Sequence, residues 1–209
     1  MVSYARLVNE NGCIHCSFLV GKSRLAHMKQ MTIPRLELSA TVLAVRMNQT
    51  LQEEFQLKFD RTAFWTDSTA IRQYIKNEDK RFYTFVANRL TVIHDGSELS
   101  QWNYVPTNIN PADDVSRGLT VKELLSNERW FRGPAFLLEN KSSWPINPVS
   151  LAIISDEDPE VRARGQTNHV TQMEEKRPLD VQVQESCCLA SETCTTVKGN
   201  EFLASFITC

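Results

Sequence analysis

Hydrophobic and polar positions follow recognisable periods along the first 118 residues, and the periods disappear after residue 145. Residues 2–7 and 13–20 read as two strands joined through Asn9-Glu10-Asn11-Gly12, because an Asn-Gly pair tolerates the positive φ angles of a tight hairpin. Leu36, Ala40, Leu43, Met47, Leu51 and Phe55 recur at spacings of three and four, which predicts an amphipathic helix of roughly 20 residues. Pro34 presets φ at its start, and Thr32 is a candidate cap. Residues 62–66 read as a short buried strand, and Ser68 as the cap of a helix with Ile71, Tyr74 and Ile75 on its apolar side. Phe82, Phe85, Val86, Leu90 and Ile93 mark another helix, ended by Asp95-Gly96. Residues 101–106 alternate as a strand; Asn110-Pro111 then opens a helix that stops near Gly118.

This order (hairpin, helix, strand, helices, strand, helix) implies an α/β fold in which helices flank a mixed sheet. Residues 1–118 form the expected domain. Residues 119–145 are a helical and aromatic extension, with Trp130, Phe131, Phe136 and Trp144 expected to pack back as a cap. Residues 146–209 contain no Trp or Tyr and are rich in Ser, Thr, Glu and Gln. That composition predicts a mostly disordered tail, with a weak strand or helix signal at 202–207.

Charge refines the division. The chain's net charge of −2 gives no global polybasic signal. Residues 1–145 nevertheless carry 18 Lys/Arg against 15 Asp/Glu, and residues 146–209 carry 5 against 10. A nucleic-acid surface is therefore expected as a local patch on the first part. No apolar run approaches the ~20 residues that span a bilayer, and Met1-Val2-Ser3-Tyr4-Ala5-Arg6 lacks a signal-peptide pattern. The expectation is an intracellular protein, cytoplasmic or nuclear, with no membrane partner and reduced cysteines. Cys13-Ile14-His15-Cys16 has metal-like spacing, but a structural zinc site needs four ligands; the pair reads better as small apolar strand residues.

Three acids carry the candidate chemistry. Glu37 opens the long helix, Asp67 ends an apolar strand, and Asp113 opens the later short helix. Each alone has an ordinary explanation, as a first-turn acid or a strand-to-helix cap. Together, carboxylates from such places converge on a hard cation, which prefers oxygen ligands.

The motifs Thr32-Ile33-Pro34-Arg35-Leu36-Glu37-Leu38, Phe64-Trp65-Thr66-Asp67-Ser68, Phe85-Val86-Ala87-Asn88-Arg89, Trp102-Asn103-Tyr104-Val105-Pro106 and Asn110-Pro111-Ala112-Asp113 occur in this order. Together they resemble the ribonuclease H region of Bel/Pao-type LTR retrotransposon polyproteins. The resemblance implies a five-stranded mixed sheet and a two-magnesium site that cuts the RNA strand of RNA–DNA hybrids. Glu37, Asp67 and Asp113 then stand as catalytic and metal-binding residues, with Asp114 the competitor for the last place and expected to be exposed. The family's first catalytic Asp belongs to a central strand upstream of the segment resembling Val2–Arg6. No Asp precedes the hairpin here, so that strand and ligand are expected to be missing. The family's mobile histidine also has no counterpart in Thr107-Asn108-Ile109-Asn110.

The resemblance therefore implies a truncated ribonuclease H-like domain with impaired hydrolysis. Its implied partners are RNA–DNA hybrid or other nucleic acid, held weakly, and other parts of a retrotransposon polyprotein. The alternatives are an active nuclease within a longer polyprotein and a non-catalytic interaction module. Arg35, Lys80, Arg81, Arg89 and Arg117 are the candidate phosphate contacts, with Phe82 and Tyr83 able to add stacking.

Overall fold

The computed structural model describes residues 1–24, 31–55, 59–148, 153–162 and 201–209. Strands β1 (Val2–Val8) and β2 (Ile14–Gly21) form the expected hairpin, with Gly12 at φ +76° in its turn. The amphipathic period yields helix α1 (Ile33–Glu54). Strand β3 (Arg61–Thr66) leads into α2 (Thr69–Lys76), followed by α3 (Thr84–Gly96) and β4 (Trp102–Tyr104). Three short helices come next: α4 (Ala112–Arg117), α5 (Val121–Ser126) and α6 (Glu128–Arg132). The last strand, β5 (Glu201–Thr208), comes from the segment expected as tail.

The five strands lie in the order β2-β1-β5-β3-β4. The place between the hairpin and β3, where a strand was expected to be missing, is thus taken by β5. It pairs antiparallel with β1, from Val2↔Ile207 to Val8↔Glu201, and parallel with β3, from Arg61↔Leu203 to Thr66↔Thr208. Both of its edges are used, so the facing backbone groups of β1 and β3 are paired through it.

Alternate residues of β5 feed two cores, one on each face of the sheet. Ala204 and Phe206 join Phe64, Leu38, Val45, Ile71, Val86 and Ile93 beneath α1, α2 and α3. Phe206 and Trp102 both stack on Phe64, with centroids at 5.4 and 4.6 Å. Leu203 and Ile207 join Val2, Tyr4, Trp65, Phe136 and Leu137 on the other face.

The aromatic extension covers this second face. Trp65 meets Phe136 at 4.7 Å and Trp144 at 5.3 Å between centroids. Arg6, only 2% exposed, donates from Nε to Leu137 O (2.8 Å) and from Nη2 to Glu139 O (3.0 Å), fastening the extension to β1. Gly133 (φ +79°) passes so close to β2 that a Cβ would lie 3.0 Å from Cys16 Sγ.

Residues 153–162, also expected as tail, pack on the helical side. Ile154 and Val161 are buried there, and Val161 bridges to Phe82. Glu160, 2% exposed, accepts from Arg35 Nε (2.7 Å) and Nη2 (2.9 Å). The stretch 163–200, assigned to the tail by its composition, lies outside the described residues.

Phe206 is fully buried at the middle of a central strand, so Phe206→Ala should cost about 3–5 kcal/mol, read from chemical denaturation. Ile153→Ala, at a side chain 92% exposed, should stay within about 0.5 kcal/mol of the parent.

Candidate functional site

Strand β3 ends at Thr66, and the next residues, Asp67 and Ser68, begin the turn into α2. Ser68 Oγ accepts from Ile71 N (3.2 Å), capping α2, and donates to Glu37 Oε2 (2.7 Å). One hydroxyl therefore serves as helix cap and as tether for the acid of α1. Glu37 is the fifth residue of α1, one turn beyond the start expected from sequence, and Thr32 makes no side-chain cap bond. Its half-buried carboxyl is held above the ordinary glutamate range. Desolvation is the main cause and the nearby Asp67 charge adds to it, while the Ser68 hydrogen bond opposes both.

The third acid is positioned through β5. Fully buried Asn110 donates from Nδ2 to Thr208 O (3.1 Å) and accepts from Ala112 N (2.9 Å). The end of the central strand thus fixes the start of α4, whose first turn holds Asp113 and Asp114. Asp114 accepts from Arg129 Nη2 (2.6 Å) and Asn127 Nδ2 (3.0 Å). It is half-buried rather than exposed as expected, and it joins α4 to α6.

Glu37 and Asp67 are thereby brought together, but the set does not form a metal cage. Among the described residues no group of three or more His, Cys, Asp or Glu is gathered so as to hold a metal ion. The residues as placed do not fit the two-magnesium site implied by the resemblance, which needs converging oxygen ligands. In the parallel register Thr66 pairs with Thr208, so the residues that follow on the two strands are Asp67 and Cys209. Cys209 Sγ contacts Ala112 O at 3.6 Å. The central strand therefore brings a thiol, that of Cys209, to this edge. Of the two hairpin cysteines, Cys13 is exposed and Cys16 is buried, and burial pushes the thiol of Cys16 up to about 12.

A groove of about 1000 Å³ opens beside Glu37, between α1, α3 and the chain after β2. Lys22, Arg24, Arg46 and Arg89 line it, along with Glu37 and Cys209. The positive charges of Arg35 and Arg46 reinforce burial in lowering the pKa of Arg89, as expected of cations crowded together. Lys22, Arg24 and Arg46 were missed in the sequence because they are spread over a connection and a helix face. Arg46 does continue the stripe of Ser39 and Leu43 along α1, and that spacing was the available signal.

The cations chosen from sequence are scattered. Arg89 lies over the Phe85 ring (3.4 Å to its centroid) and donates to Phe85 O and Ser39 Oγ. Arg35 is engaged by Glu160 and Lys80 by Asp156. Arg81 is exposed, Phe82 is buried in the core, and Tyr83 is exposed. The side chain of Arg117 lies outside the described residues.

Residues 1–68 match the family described as the Pao retrotransposon-like RNaseH-like domain. Over that stretch, about a third of its length, the chain is similar to a Pao-type ribonuclease H-like domain. The matched stretch of this domain runs from β1 through Ser68, taking in Glu37 and Asp67 and ending before Asp113. No curated protein and no solved structure matches the chain. Among the described residues, no helix is long and apolar enough to cross a membrane.

The raised pKa of Glu37 has a definite sign in stability. A carboxyl whose folded pKa exceeds its unfolded one stabilises the fold while protonated, and that contribution is lost as pH rises through the folded value. Glu37→Gln, which keeps an acceptor for Ser68, should therefore raise the melting temperature at pH 7. The advantage should shrink as pH falls to the ordinary glutamate value of 4.5. Thermal melts across pH 3–8 check this. Ser68→Ala removes both the cap and the tether and should cost about 1–2 kcal/mol, measured by denaturation at neutral pH.

Proposed function

We propose that this chain is a retrotransposon-derived ribonuclease H-like domain that holds RNA–DNA hybrid weakly. Its ancestral activity, metal-dependent hydrolysis of the RNA strand, is impaired. The observation that carries the reading is the incomplete acid edge. Glu37 and Asp67 are drawn together by Ser68, while the neighbouring central strand brings Cys209 rather than a carboxylate. Magnesium binds hard oxygen ligands and a thiol is a poor substitute.

Nucleic-acid binding is supported by the groove beside Glu37. Lys22, Arg24, Arg46 and Arg89 face a common space, so a phosphate backbone would relieve their mutual repulsion and release counterions. Recognition of a hybrid would rest on phosphates, groove shape and 2′-hydroxyls, without base specificity. The polyprotein context of such domains makes neighbouring polyprotein segments the natural protein partners.

With magnesium and an RNA–DNA hybrid, the chain should cleave no faster than its Asp67→Asn variant. Magnesium-dependent cleavage abolished by Asp67→Asn would contradict impairment and favour an active nuclease. In fluorescence anisotropy, hybrid affinity should fall with rising salt. Arg46→Ala should weaken binding and reduce the slope of log K against log salt by about 1. An unchanged slope would remove Arg46 from the interface.

A further inference from the structure

The place of β5 in the sheet has a consequence for how copies of this chain meet. Residues 201–208 are paired along both edges, and residues 203–208 are all buried. Their side chains match a slot with demanding walls. Ala204 and Phe206 must fit under the helices, and Leu203 and Ile207 under the aromatic extension. The nearest described residue before β5 is Arg162, so 38 residues, 163–200, lie between it and the strand. A chain of that length can reach on the order of 130 Å when extended. The whole sheet is only four strand spacings wide, each about 4.8 Å.

We propose that the slot between β1 and β3 is a strand-acceptor site that exchanges partners: the β5 of one copy fills the slot of another, and the reverse, giving a closed dimer. Every pairing of β5 is reproduced in trans, because the register depends only on residues 2–8, 61–66 and 201–208. The exchanged form satisfies the same backbone groups and buries the same side chains, and it is two-fold symmetric and self-limiting. Cis and trans placement share these contacts, so protein concentration selects between them. A second copy is the fitting partner because its own residues 201–208 already carry the side-chain sequence that the slot requires. The proposal does not depend on the nuclease reading.

Complementation between two full-length variants tests it. Phe206→Asp disables β5 but leaves the slot intact. Phe64→Asp disables the slot but leaves β5 intact. Each chain alone should lack the native near-ultraviolet circular dichroism of the buried tryptophans. Mixed, they should regain up to half of the native signal, saturating with the Phe64→Asp partner, and elute as a dimer. A synthetic peptide of residues 199–209 added to the Phe206→Asp chain should restore its signal as well. The proposal fails if mixtures equal the sum of the separate chains at every ratio and the peptide restores nothing. It also fails if the Phe206→Asp chain alone keeps the full native signal as a monomer, since the slot would then need no strand.

Discussion

Backbone pairing in the middle of the sheet governs how the other elements of this fold are held. A strand position with neighbours on both sides presents two rows of amide and carbonyl groups, and leaving them dry and unpaired is costly. The hairpin β1–β2 and the parallel pair β3–β4 would each expose such a row toward the other. Strand β5 closes the gap, antiparallel to one side and parallel to the other. Because successive residues of a strand face opposite ways, the same eight residues also complete both hydrophobic cores.

The candidate site inherits its geometry from that closure. Thr208 supplies the carbonyl that holds Asn110, and Asn110 in turn receives the first amide of α4. Ser68 joins the end of β3 to α1 through its contact with Glu37. The acid edge is therefore built on strand ends and helix starts rather than on free loops. There Glu37 lies close enough to Asp67 to feel its charge, and Cys209 follows the end of the central strand. The raised pKa of Glu37 is what a carboxyl acquires when it is drawn from water beside another acid.

The locally encoded features were legible in the sequence. The Asn-Gly turn, the three-and-four spacing of α1, the cap at Ser68 and the Asn110 start of α4 all depend on neighbours within a few residues. The α/β order followed from them. The partner of residues 201–208 could not be read in the same way. A short apolar run fits a strand or a helix equally well, and its two neighbours lie roughly 140 and 200 residues away in sequence. The tail's composition also concealed residues 153–162, where Glu160 is buried only because Arg35 meets it with two nitrogens. At the site, the sequence picked out the acids, and the structure shows what joins two of them. It also moves the basic surface toward Arg46 and the groove, because Arg35 and Lys80 are engaged by acids from a segment whose docking the sequence did not reveal.

Amide hydrogen exchange reads whether residues 201–208 form the middle strand of this sheet. In the intact chain under native conditions, amides of residues 203–207 should exchange as slowly as those of β1 and β3. They should open only with the global transition. Exchange of this segment at the rate of an unstructured peptide, while β1 and β3 stay protected, would show that the strand is not in the sheet.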